Sequence, residues 1–315
     1  MSRYLVTGCA GFVASHLVEA LLARGDSVVG VDSFTDYYAR ETKEANLDGF
    51  RRDPRFELVE DDLASAPLER YVDGVRGIFH LAAQAGVRGS WGDSFSVYVR
   101  DNVVATQRLF EAAAGAGVRV VFASSSSVYG NAESYPTTEA VRPRPISPYG
   151  VTKLACEHLA HAYADSLRLD FIALRYFTVY GPRQRPDMAF TRICKAILTG
   201  DRFSVYGSGE QTRDVTYVAD AVTATLAVMA SAPAGAVYNV GGGSETSLID
   251  VIRTAERLAA RKLEISFEET MAGDVRRTAA DTTLIRQDVA WQPRTTLEEG
   301  LANQIAWAET SASTA

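Results

Sequence analysis

Short apolar runs alternate with amphipathic stretches through the first half of the chain. Residues 4–6, 27–31, 56–59, 77–81, 118–123 and 171–174 are brief, apolar and in several places β-branched, so they read as strands. Between them, residues 12–23 and 103–114 carry apolar positions at helical spacing. Strands separated by helices imply parallel pairing through right-handed crossovers. The expected fold class is therefore α/β, with an open, doubly wound parallel sheet. After about Arg175 the regularity breaks, and Pro182, Pro186, Gly207 and Gly209 mark loops. Strand and helix patterns return at 215–229 and 237–240, followed by amphipathic helices near 248–259 and 297–308. We expect a large domain of residues 1–175, rejoined by 214–240. A smaller α/β lobe of residues 176–213 and 241–315 would cover the carboxyl edge of the sheet. The small, polar tail 310–315 is expected to fray.

Composition narrows the function classes. With 315 residues the chain can bury a sizeable core, and 47% hydrophobic with 23% charged residues is ordinary for a soluble globular protein. A net charge of -7 argues against nucleic-acid binding through a broad basic field. Cys9, Cys156 and Cys194 lie far apart without metal-type spacing, which predicts no disulfide framework and fits a reducing cytoplasm. No signal peptide is expected, because the first residues already form a strand. Residues 221–244 are uncharged, but Pro233, Gly235 and three consecutive glycines interrupt them. They read as helix, turn and buried strand, not as a membrane span. His16, His80, His158 and His161 match no metal spacing and read as structural, so no metal site is expected.

The first chemical motif is Thr7-Gly8-Cys9-Ala10-Gly11-Phe12-Val13-Ala14. A glycine turn with Ala14 in its third position would, alone, be a tight turn before an ordinary helix. Here it follows a strand, opens a helix and is followed by a second strand ending in Asp32. Backbone N–H groups at such a helix start can hold a pyrophosphate. Asp32 can accept hydrogen bonds from a ribose hydroxyl and would repel a 2′-phosphate, which predicts NAD on a Rossmann-like sheet. Gly8, Gly11, Phe12, Val13 and Asp32 are thus cofactor candidates. Asp62 and Leu63 are placed at the adenine edge, and Leu81, Ala82 and Ala83 where backbone approaches the cofactor.

The second motif is Tyr149-Gly150-Val151-Thr152-Lys153. Residues four apart share a helix face, so a phenol and an ammonium stand side by side. Tyrosine, with a reference pKa of about 10, becomes a useful base only if its phenolate is stabilised. Lys153 and a positive nicotinamide ring would both do so, and Lys153 can reach the nicotinamide ribose. Taken alone, this pattern also describes a surface lysine snorkelling along a helix. The run Ser124-Ser125-Ser126-Ser127 changes the balance, because it follows the 118–123 strand at the ligand-binding end of the sheet. A hydroxyl there can bond the substrate oxygen whose proton Tyr149 removes, although serine clusters also make turns and caps.

Together these segments resemble the extended short-chain dehydrogenase/reductase family of nucleotide-sugar enzymes. The resemblance rests also on His80–Arg88, Arg175–Pro182 and Gly207–Asp214 and spans nearly the whole chain. Val31-Asp32-Ser33-Phe34-Thr35-Asp36-Tyr37-Tyr38, His80-Leu81-Ala82-Ala83-Gln84-Ala85-Gly86-Val87-Arg88 and the run from Arg175 to Met188 resemble UDP-glucuronate 4-epimerases in particular. The resemblance implies bound NAD, a UDP-sugar substrate and C4 epimerisation of UDP-glucuronate to UDP-galacturonate through a 4-keto sugar. Tyr149 and Lys153 would be catalytic, with Ser125 in the family's Ser/Thr position. Ser124 and Tyr176 join the cofactor set. A homodimer through helices near 103–114 and 149–164 is implied by the same resemblance.

Related 4,6-dehydratases carry an Asp-Glu pair at the positions of Ser126 and Ser127, and UDP-glucuronate decarboxylases typically carry Glu at that of Ser127. This chain has hydroxyls at both. Oxidising C4 of a glucuronate creates a β-keto acid that readily loses carbon dioxide. An epimerase must hold the carboxylate away from the perpendicular to the carbonyl plane. Ser126, Ser127, Thr178 and Arg185 are the candidates for this grip, with Arg185 as the charge-assisted partner. Thr178 can alternatively cap a turn, and Arg185 can pair with Asp187. Arg192 and Arg213 are candidates for the diphosphate, with Arg88 a third, and Asp274 matches a family segment near the nucleoside. Met271 departs from galactose-type epimerases, which often carry arginine there. A UDP-glucose or N-acetylhexosamine 4-epimerase is the nearest rival, then a UDP-glucuronate decarboxylase. An NAD-sensing regulator is the rival of another class, and the retained Tyr149, Lys153 and Ser125 argue against it.

Overall fold

The computed structural model describes residues 1–270 and 273–312. Met271 and residues 313–315 lie outside the described residues. Thr310, expected to begin a frayed tail, instead continues the helix Leu297–Ala312.

Twelve strands are present among the described residues. They are β1 (Arg3–Thr7), β2 (Ser27–Asp32), β3 (Phe56–Glu60), β4 (Gly77–His80), β5 (Arg119–Ser125), β6 (Phe171–Tyr176), β7 (Thr178–Tyr180), β8 (Phe203–Tyr206), β9 (Thr212–Tyr217), β10 (Ala236–Val240), β11 (Glu245–Ser247) and β12 (Ile265–Glu268). Seven form one parallel sheet in the order β10-β6-β5-β4-β1-β2-β3, with Thr7 beside both Val31 and His80. Its central strands are apolar on both sides because helices cover both faces. Leu17 and Leu21 of the Phe12–Ala23 helix pack with Val222 and Val228 of the Val218–Ser231 helix over one face. Leu109 and Phe110 of Ala105–Ala116 pack with Cys156 and Ala160 of Pro148–Leu167 over the other. The chain runs outward from β1 in both directions, so a crevice opens at the carboxyl ends of β1 and β4.

The second half builds two smaller sheets, β11-β9-β7 and β12-β8, around a separate core that includes Phe190, Ile193, Val205, Val251 and Leu301. One boundary differs from expectation. Residues 214–217, grouped above with the large domain, pair through β9 with β7 and β11 instead. Their apolar alternation satisfies either sheet, and parallel pairing with Thr178–Tyr180 decides the matter. The chain rejoins the large sheet through the Val218–Ser231 helix and β10. Among the described residues no helix is long and apolar enough to cross a membrane, and no group of acidic, histidine and cysteine side chains is arranged to hold a metal.

Candidate active site

A cavity of about 670 Å³ occupies the crevice, and a smaller one of about 150 Å³ adjoins it. The larger cavity brings together the turn after β1, Asp32, Asp62 and Leu63, the exit of β4 and the serine run at the end of β5. Tyr149, Lys153, Tyr176, Thr178, Arg88, Arg185, Arg192 and Asp274 complete the wall. Arg213 is the one candidate outside it. It lines the smaller cavity, together with Ser126, Ser127, Thr178 and Asp274.

At the cofactor end, Gly8 has φ +71°, and a Cβ there would stand 2.8 Å from the Ala82 backbone nitrogen. Only glycine allows β1 to turn this close to the exit of β4. The Phe12–Ala23 helix starts at Gly11 with no side-chain cap, so its first N–H groups face the cavity as an anion site. Asp32 is oriented by backbone donors, Ala10 N–H to Oδ2 at 3.1 Å and Phe34 N–H to Oδ1 at 2.9 Å. Burial raises the Asp32 carboxyl from its usual value, opposed by the Phe34 and Ala10 donors and by the Lys43 charge. Each oxygen keeps a lone pair for a ribose hydroxyl. These features fit an NAD-type dinucleotide. Asp62 lines the same end and is paired with Arg100.

His80 is structural. Its ring nitrogens lie 2.7 Å from Thr7 Oγ1 and 2.8 Å from Thr106 Oγ1, and burial beside Lys153 pushes it down to about 3.

The reacting end is set by how the Pro148–Leu167 helix begins. Ser147 Oγ caps it by accepting the Gly150 N–H at 3.1 Å, and Pro148 occupies the first turn. Tyr149 is therefore fixed at the helix start. A Cβ on Gly150 would come within 2.5 Å of the Ser127 carbonyl oxygen, so glycine lets this turn pack against the serine run. Burial raises the Tyr149 phenol, while hydrogen bonding from Ser125 and the charge of Arg185 pull it back. Lys153 is buried as well, which lowers it to about 8 against the opposing influence of Cys156 and Glu157. Its ammonium donates to the Ala123 carbonyl at 2.9 Å and stands 6.0 Å from the Tyr149 ring centroid. The lysine ammonium thus faces the strand end, and the Arg185 charge adds to the influences that favour the phenolate.

The serines divide their tasks. Ser125 Oγ accepts the Ser127 N–H at 3.1 Å, which folds the run into a turn. The Ser124 hydroxyl donates to Glu157 and so faces the wall behind the cavity. That wall holds a network which sequence reasoning missed. Arg175 donates to Glu157 through Nε at 3.0 Å and Nη2 at 2.7 Å, and its Nη1 donates to the Tyr129 hydroxyl at 2.8 Å. Tyr129 in turn donates to Asn239 Oδ1 at 2.7 Å. Glu157 lies one helix turn beyond Lys153, the only sequence signal available.

Among the substrate candidates, Arg185 makes the pair with Asp187 that its sequence neighbourhood allowed. It lines the cavity, and it donates to Asp187 through Nε at 3.0 Å and Nη2 at 2.9 Å. Thr178 sits on β7 at the junction of the two cavities. Arg88 pairs with Asp274 at 2.8 Å and lies over the Tyr206 ring. Arg192 stacks over Phe203, and Arg213 donates to the Thr212 carbonyl. Among the described residues neither Arg192 nor Arg213 forms an ion pair, which leaves two cations for a diphosphate. Burial lowers the Arg213 guanidinium, opposed first by Asp274. An incoming phosphate would offset that penalty.

Comparison with known proteins follows the same lines. Residues 4–241 match the model of the NAD dependent epimerase/dehydratase family. The chain is 41% identical to a Bacillus subtilis (strain 168) protein named uncharacterized UDP-glucose epimerase YtcB, over 97% of each chain. It is 35% identical to the UDP-glucuronate 4-epimerase of Thermodesulfobacterium geofontis (strain OPF15), over 98% of this chain and 97% of that one. It is also similar to the crystal structure of Bacillus cereus UDP-glucuronic acid 4-epimerase in complex with UDP-glucuronic acid and NAD. There the TM-score is 0.95 at 37% identity, covering 98% of this chain and 99% of the other.

Proposed function

The chain belongs to the NAD dependent epimerase/dehydratase family, and on that premise we propose that it interconverts UDP-glucuronate and UDP-galacturonate by epimerisation at C4. One observation carries the reading. Ser125 and Arg185 both favour the charged form of Tyr149, and all three line one cavity where positions 126 and 127 offer hydroxyls and no carboxylate. When bound, NAD supplies the acceptor and later the donor of the C4 hydrogen. Tyr149 takes the C4 hydroxyl proton and returns it, with Ser125 holding the same oxygen. Lys153 and Arg185 stabilise the phenolate, and Lys153 also holds the cofactor ribose. Arg192 and Arg213 hold the diphosphate while the 4-keto sugar turns its other face. Ser126, Ser127, Thr178 and Arg185 grip the carboxylate. Residues 126 and 127 supply no acid–base pair for dehydration.

We assign the large-sheet part to the cofactor and the lobe around the small sheets to the nucleotide sugar. Val104 and Val151 are exposed on the helices proposed to pair two copies, and three buried free cysteines suit a reducing cytoplasm. A neutral UDP-hexose 4-epimerase is the second reading, since Asp187 already neutralises Arg185. Incubation with UDP-glucuronate tests the proposal. UDP-galacturonate without net cofactor reduction is expected; release of UDP-xylose or of a stable 4-keto pentose would overturn it.

A further inference from the structure

Arg185 is held from one side only. A guanidinium is a planar fork with five N–H donors. Asp187 takes Nε–H and one hydrogen of Nη2, both on the same edge. Among the described residues no acceptor meets Nη1, although the side chain keeps only 20% of its accessible surface and lines the cavity. A second edge is thus left for a planar, bidentate anion. Its direction follows from the first edge, because a two-point bond to a carboxylate brings both groups towards one plane. Asp187 is itself tied to another residue of the cavity wall. The Tyr37 hydroxyl donates to its Oδ2 at 3.4 Å, and the Tyr37 ring lies 5.8 Å from the Arg185 guanidinium carbon. Burial works to raise the Asp187 carboxyl, yet the Arg185 hydrogen bonds outweigh it and hold it below its usual value.

We propose that Asp187 is a positioning residue that aims Arg185 at the substrate carboxylate, so that C4 oxidation does not end in loss of carbon dioxide. The inference rests on the UDP-glucuronate reading above. In the 4-keto acid the C5–C6 bond breaks when it stands perpendicular to the carbonyl plane. Its electron pair then passes into a C4–C5 enolate, carbon dioxide leaves, and C5 takes a proton from water. Protonation at C5 restores the C4 carbonyl, so the hydrogen removed from C4 either returns to that carbonyl, giving UDP-xylose, or stays on the cofactor when the 4-keto pentose leaves first. A carboxylate held by an aimed fork stays out of that alignment. A fork free to swing holds it with equal charge and without the angle.

The test is the partition of products from UDP-glucuronate, with carbon dioxide and reduced cofactor measured beside UDP-galacturonate. Asp187→Asn keeps the side chain's shape and removes the charge-assisted second bond. The share of turnovers ending in carbon dioxide is expected to rise about tenfold. Asp187→Glu keeps the charge and the ion pair but lengthens the arm, and its leak is expected to fall between those of Asp187→Asn and the parent. A purely structural role would lower total turnover and leave the partition alone. Parental partition in both variants overturns the positioning role while the epimerase reading stands. A parent enzyme that ignores UDP-glucuronate overturns both.

Discussion

Two arginine–carboxylate pairs flank the same cavity, and they differ in what their guanidinium groups have left over. Arg175, behind the serine run, gives hydrogen bonds to both oxygens of Glu157, to the Tyr129 hydroxyl and to the Glu139 carbonyl. Side-chain exposure is 7% for Arg175 and 4% for Glu157. Arg185, on the cavity wall, gives both of its hydrogen bonds to Asp187, whose side chain is 41% exposed. The first pair is closed: all three guanidinium nitrogens already donate and both side chains are buried, so it can hold the strand ends but offers no free edge to a ligand. The second is open, with one edge occupied by Asp187 and no acceptor on the other among the described residues. Geometry at the carboxylate is bidentate in both, so the pairing itself does not mark a functional arginine. The unspent edge does.

Breaking the closed pair is expected to have the largest effect on stability. Glu157→Ala leaves a buried guanidinium without its counter-charge and is expected to lower the unfolding free energy by about 3–5 kcal/mol. Denaturant titration checks this; a loss below about 1 kcal/mol, the range of exposed pairs, would place Arg175 in the same class as Arg185. Arg185→Ala should reverse the pattern. Its stability is expected to change by no more than about 1 kcal/mol, because the pair is partly solvated. Turnover of UDP-glucuronate is expected to fall about a hundredfold in kcat/KM, corresponding to the lost carboxylate contact, whereas UDP-glucose, which loses only the help Arg185 gives the phenolate, is expected to fall less. Equal losses on acidic and neutral sugars would remove the carboxylate grip from the account.

The contrast also shows what the chain discloses before it folds. The β1 turn, Asp32 and the Tyr149–Lys153 pair were legible because local spacing alone places them at strand ends and on one helix face. Arg185 was legible as chemistry but not as geometry, since its Asp187 partner suited a surface pair equally well. The Arg175–Glu157 bond was not legible. It joins β6 to a helix across the core, and nothing local in either segment announces the other. The small sheets escaped for another reason. β7 and β11 are three residues long, too short for an alternating pattern to register, and β9 therefore looked like a strand of the large sheet. Lys153 illustrates the limit of spacing. Four residues put it on the face of Tyr149, but burial turned its ammonium towards the Ala123 carbonyl.

All of these assignments depend on Tyr149 moving the C4 proton. The most direct measurement compares the parent with Tyr149→Phe under single turnover on UDP-glucuronate, following product and bound NAD together. The account predicts that the variant retains NAD and UDP-glucuronate while epimerisation falls by at least about a hundredfold, the scale of a lost general base. Parental turnover in a variant that still binds both ligands would contradict it.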